Sequence, residues 1–149
     1  MHPEQLTPWG IDWVWGLPLI VITVMFHVYS LSFIKRRTEL RLRTMNQTAA
    51  VGIVTLSITV LHAVEASVWA LTFLFLGAVP DRQTAGLYSL NALTSFGHTD
   101  IQLERKWQLM GALESLNGWI LFGLSTAYLF LLVQDIWSRV AGRTEAYTS

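Results

Sequence analysis

The chain contains no cysteine. Disulfides, thiolate metal sites and cysteine nucleophiles are therefore excluded. Charge is scarce: 13% of its 149 residues are Asp, Glu, Lys or Arg, where a soluble domain carries about 25%. The formal net charge is zero, which argues against nucleic acid as a partner. Residues 1–10 hold no Lys or Arg and include Glu4, so the basic start of a secretory signal peptide is missing and the first apolar run is expected to be retained. What remains is apolar: 52% of residues are hydrophobic, with 7 Trp and 7 Phe. The lipid bilayer is the partner this composition suits.

Three apolar runs are long enough to span. The first covers Ile11 to Ile34 and stops at Lys35-Arg36-Arg37; Asp12 sits at its edge, and Trp13 and Trp15 suit the membrane–water boundary. A polar linker leads to the second run, Ala49 to Val79, which must tilt or project because it exceeds about 20 residues. Pro80 breaks it, and Asp81 is placed to cap the next helix. Residues 83–93 then form a segment too short to cross. A stretch of about 10–14 residues reads as a re-entrant or core helix rather than a span. A polar loop comes next, and a third span runs from about Trp107 to Val133. The tail from Gln134 is polar and is expected to fray.

Seven of the ten basic residues (Lys35, Arg36, Arg37, Arg41, Arg43, Arg139 and Arg143) lie after the first span or in the tail. Basic loops stay cytoplasmic. The N-terminus and the polar loop are then outside and the C-terminus inside. The expected organisation is a first span with its basic linker (1–48), a membrane core (49–134) and a cytoplasmic tail (135–149).

The loop reads Thr94-Ser95-Phe96-Gly97-His98-Thr99-Asp100. With the preceding Leu87-Tyr88-Ser89-Leu90-Asn91-Ala92-Leu93, it resembles the pore helix and selectivity filter of bacterial two-helix potassium channels, whose filter commonly reads T-T-[VLI]-G-Y-G-D. Leu116 to Ala127, with Gly118 and Gly123, is similar to the inner helix of that family, and His62-Ala63-Val64-Glu65 with Trp69-Ala70 to its outer helix. The likeness covers Leu61 to Val133 and leaves the first span as an addition. It implies an all-α membrane protein: three transmembrane helices, a re-entrant pore helix and filter loop, and a homotetramer around a central pore in the plasma (inner) membrane of a bacterium.

The resemblance implies a pore-loop cation channel and not an enzyme, with potassium and sodium as permeant ions and neither a cofactor nor a bound metal. Backbone carbonyls of Ser95, Phe96, Gly97 and His98 would face the axis and replace an ion's hydration shell, while Phe96 would point into packing. Gly118 and Gly123 would serve as a gating hinge or as points of close helix approach. This chain has His98 where the family has Tyr and Thr99 where it has the second Gly. Left-handed backbone at a β-branched residue costs about 1–2 kcal/mol in each copy, so potassium selectivity is expected to be weak or lost. His98 either packs behind the filter or turns to the axis, where four imidazoles would bind transition metals or titrate. Asp100 either braces the filter or rings its outer mouth. A non-conducting channel-like scaffold or partner subunit is the alternative.

Among the polar residues within spans, four stand out: His62 and Glu65 in the second, Glu114 and Asn117 in the third. Ionisable groups at membrane depth face protein or water and mark function. The simpler reading makes His62–Glu65 and Glu114–Asn117 satisfied pairs that lock helices, with Glu114 behind the pore helix. His27 adds a haem alternative, since two histidines on neighbouring spans can hold iron axially. Counted from the cytoplasmic ends of the runs, however, His27 and His62 differ in height by roughly 7 Å.

Overall fold

The computed structural model describes residues 8–41, 46–97 and 101–148. Four α-helices account for nearly all of them: α1 (Pro8–Arg41), α2 (Gln47–Phe75), α3 (Arg82–Leu93) and α4 (Gln108–Thr148), the last preceded by a single 3-10 turn at Arg105–Trp107. The described residues include no strand. Three segments are long and apolar enough to cross a membrane: Gly10–Glu39, Gln47–Phe75 and Arg105–Ser138.

Several helix ends differ from the limits of the apolar runs. α1 continues past Ile34 to Arg41 because basic side chains favour the partially negative C-terminal end of a helix, and Lys35 faces Glu39 one turn on at 3.9 Å. α2 starts two residues before Ala49, where the Asn46 side chain accepts from the Thr48 amide at 3.0 Å. It stops at Phe75, short of Val79. Gly77 takes φ +65°, and its amide and that of Ala78 donate to the Leu74 and Phe73 carbonyls at 3.1 and 2.9 Å. Paired bonds of this kind around a left-handed residue terminate a helix. The tail does not fray into coil: α4 runs on to Thr148, through Arg, Glu and Ala, which are good helix formers.

α3 occupies Arg82–Leu93, and Asp81 caps it: its carboxylate accepts the Thr84 amide at 2.9 Å and the Thr84 hydroxyl at 2.6 Å. α3 packs between α2 and α4, and α1 lies against both long helices. One end of the bundle is filled by Trp69, Phe73, Tyr88, Trp107 and Met110 with their neighbours, and the other by Leu31, Val54, Ile58, Leu61, Leu132 and Ile136. Ala66, Leu93 and Leu121 join between them.

Gly118 decides how deep α3 sits. A Cβ at 118 would overlap the Leu93 carbonyl oxygen, whereas one at Gly123 would meet nothing within 4 Å. The two glycines therefore have different jobs. Gly118→Ala should lower stability by about 1–3 kcal/mol through overpacking. Gly123→Ala should leave it unchanged or raise it by up to about 1 kcal/mol. Thermal unfolding of the two variants in detergent checks the contrast.

Candidate functional site

The loop after α3 begins with a helix-closing turn. The amides of Ser95 and Phe96 donate to the Ala92 and Asn91 carbonyls, both at 3.0 Å, and Ser95 has φ +54°. This is the same closure as at Gly77, built on a residue for which left-handed backbone costs about 1–3 kcal/mol. The Ser95 hydroxyl offsets part of that cost by accepting from Trp119 Nε1 of α4 at 2.8 Å. It is thereby occupied by a side chain of the same chain. Gly97 follows at φ +93°. Phe96 does not pack within the chain; it is 84% exposed. Thr94 turns back, its hydroxyl donating to the Leu90 carbonyl at 2.7 Å. His98, Thr99 and Asp100 lie outside the described residues. A crevice of about 320 Å³ beside the loop is lined by Leu93, Thr94, Ser95, Trp119, Phe122 and Thr126.

A second polar assembly lies inside the bundle, where α1, α2 and α4 meet. His27 and Glu65 are fully buried and His62 nearly so. The His27 Nδ1–H donates to Glu65 Oε1 at 2.8 Å. His62 Nδ1 lies 3.2 Å from Glu65 Oε2 without the alignment of a hydrogen bond. The opposite nitrogens of both rings converge on Ser125 of α4: Oγ is 3.0 Å from His27 Nε2 and 3.2 Å from His62 Nε2. The imidazoles stand 5.2 Å apart, and Phe122 stacks on His62 at 4.3 Å. Two rings tied side by side to one hydroxyl leave no slot for a macrocycle between them, so this pair is not arranged as a haem site.

The mismatch in height disappears once the helices have their true ends. His27 is fourteen residues before Arg41 and His62 fifteen after Gln47, so at about 1.5 Å per residue they are level. Ser125 was not singled out from the sequence. Its signal is a helical stripe, Glu114, Gly118, Leu121 and Ser125, at spacings of four, three and four, in which all but Leu121 are small or polar.

Asn117 does not pair with Glu114. It reaches across to α1, where its Nδ2 donates to Thr23 Oγ1 at 2.8 Å. Thr23 in turn donates to its own helix at the Leu19 carbonyl, 2.8 Å away. Glu114 is fully buried behind α3, beside Ser89, and neither carboxylate oxygen has a hydrogen bond of good geometry. Glu65 is thus joined to His27 as well as His62, and Glu114 stands against the pore-helix candidate.

Comparison with family models, curated proteins and solved structures finds no match.

Two consequences can be measured. Glu65→Ala leaves two buried imidazoles facing a void; removing one member of a buried pair costs about 3–5 kcal/mol, and chemical or thermal unfolding in detergent should show a loss of that order. At the start of α3, the Thr84 hydroxyl and amide hold the Asp81 carboxyl below its ordinary range. A carboxyl depressed on folding contributes stability that is complete above its unfolded value near 3.8 and is lost as pH falls through the folded one. The stability difference between the parent and Asp81→Ala should therefore be constant near neutrality and shrink below about pH 4.

Proposed function

We propose that this chain is the subunit of an oligomeric pore-loop channel for monovalent cations, with weak discrimination between potassium and sodium. The depth at which α3 ends carries the reading. α3 has 12 residues, about 18 Å of helix, against a hydrocarbon core of about 30 Å. Its last residue, Leu93, meets Gly118, which lies thirteen residues into the Arg105–Ser138 span, or about 20 Å along it. With α4 spanning the bilayer, α3 is re-entrant and residues 94–97 are at membrane depth.

Those four residues are exposed on the single chain. Irregular backbone at that depth is tolerated only when protein covers it or water bathes it. Further copies arranged around the loop would meet both conditions, and four is the number that the resemblance implies. The C-terminal end of α3 adds a partial negative charge that favours a cation beside the loop. The distribution of the basic residues supports a loop outside and a cytoplasmic C-terminus, and the resemblance supports a bacterial inner membrane.

The engaged Ser95 hydroxyl favours a second reading, a channel-like scaffold that does not conduct, because a loop wound into a capping turn is not the extended backbone that lines up carbonyls for an ion. Liposome flux separates the two. Purified protein should pass both potassium and sodium down imposed gradients, and Gly97→Ala, strained at φ +93°, should abolish flux in both. Folded, oligomeric protein that passes neither ion establishes the scaffold. Strict potassium selectivity contradicts the expectation drawn from Thr99. Topology is tested in the cysteine-free background: an impermeant maleimide added outside intact cells should label Gln102→Cys and not Ser138→Cys.

A further inference from the structure

We propose that His27, His62 and Glu65 form a binding site for one divalent first-row transition-metal ion, with zinc the reference ion, which clamps α1 to the pore-loop core. One ligand atom from each of the three residues can be chosen so that all lie within 4.8 Å of one another, and all three residues are buried. Two imidazoles and a carboxylate are a donor set that zinc uses at about 2.0–2.2 Å, with a fourth position left open.

The inner geometry fits an ion better than a purely hydrogen-bonded cluster. His62 Nδ1 and Glu65 Oε2 are buried and 3.2 Å apart, at ion-pair distance but without the alignment of a hydrogen bond. Such a contact leaves both atoms short of a directed partner in a dry interior. Two ligands bound at about 2.0 Å to one tetrahedral ion are roughly 3.3 Å apart. His27 Nδ1 is 2.8 Å from the other oxygen of the same carboxylate, so the Nδ1 atoms of both rings face it.

The outer geometry completes the fit. A metal-bound imidazole donates its remaining N–H to an acceptor that fixes tautomer and ring orientation. Both Nε2 atoms point at Ser125 Oγ, at 3.0 and 3.2 Å, and a hydroxyl oxygen has two lone pairs to accept them. With protons alone the count is awkward. If both Nδ1 atoms carry hydrogen toward the carboxylate, the single Ser125 hydrogen serves one Nε2 only, and the other must take up an additional proton. A metal on the Nδ1 side displaces protons from those nitrogens and leaves both Nε2–H groups donating to Ser125.

The measurement is metal content by plasma mass spectrometry on tag-free, folded protein equilibrated with zinc and passed through a desalting column. About one ion per chain is expected in the parent and in His98→Gln, and less than about a tenth as much in His27→Gln, His62→Gln and Glu65→Gln. Ser125→Ala should bind about 10–100-fold more weakly. X-ray absorption on the parent alone keeps the proposal testable if the variants misfold; it should show imidazole scattering in a shell of N and O ligands. Folded parent protein that holds no zinc, manganese, iron, cobalt, nickel or copper overturns the proposal and leaves a site for a proton only. So does an ion that persists in folded Glu65→Gln and His27→Gln, or that His98→Gln removes.

Discussion

The placing of α3 and of the loop after it depends on one close approach, the Leu93 carbonyl lying against the missing side chain of Gly118. A carbon there would force the end of α3 away from α4, and the loop would move with it. Depth then determines chemistry. Near a membrane surface, the same exposed residues 94–97 would be an ordinary wetted turn; about 20 Å along a spanning helix they need water or protein around them. The cap at Asp81 fixes where α3 starts and Gly118 where it ends, so a short helix of otherwise modest hydrophobicity is held at both ends.

The inner polar cluster solves a separate problem. α1 lies beyond the part of the chain that looks like a channel, and lipid tails give apolar helices little reason to prefer one another over lipid. Polar contacts supply the preference. His27 reaches Glu65 and Ser125, and Thr23 reaches Asn117, so α1 is tied to α2 and α4 at two successive levels. His62 belongs to the same knot, with Phe122 stacked on its ring. Phe122 also faces the crevice beside the loop. The ring stack is thus a physical path from the first span to the loop's surroundings.

Much of the fold was legible because it rests on local rules. Three apolar runs, Pro80 and the Asp81 cap gave α3 its place nearly to the residue. Helix ends were less legible. The α2 run looks continuous to Val79, but Gly77 ends the helix earlier, and basic residues that mark the membrane edge in α1 do not stop the helix itself. That error hid the inner cluster, since depths counted from the apolar runs put His27 and His62 apart. Pairing inside one helix was also too local an expectation. Asn117 and Glu65 each find partners on α1, and such long-range contacts carry no periodicity of their own. Ser125 lacked charge, and only its place on the stripe with Glu114 and Gly118 marks it.

The loop shows how a familiar pattern can bring different backbone with it. The resemblance places strain at Thr99, where a glycine is wanted. Thr99 lies outside the described residues; among these, left-handed backbone falls at Ser95 and Gly97, and the Ser95 turn uses two amides to finish α3. A capped helix end and an extended row of inward carbonyls compete for the same residues. Trp119 tips the balance toward the cap by holding the Ser95 hydroxyl. Opening the loop into an extended filter requires breaking that bond and both capping bonds, each worth about 0.5–1.5 kcal/mol net. Contacts between copies can supply an energy of that size: Phe96, almost wholly exposed on one chain, has enough apolar surface to contribute about 1.5–3 kcal/mol when buried. On the single chain the capping turn prevails, and an extended loop would need contacts of that size from outside the chain.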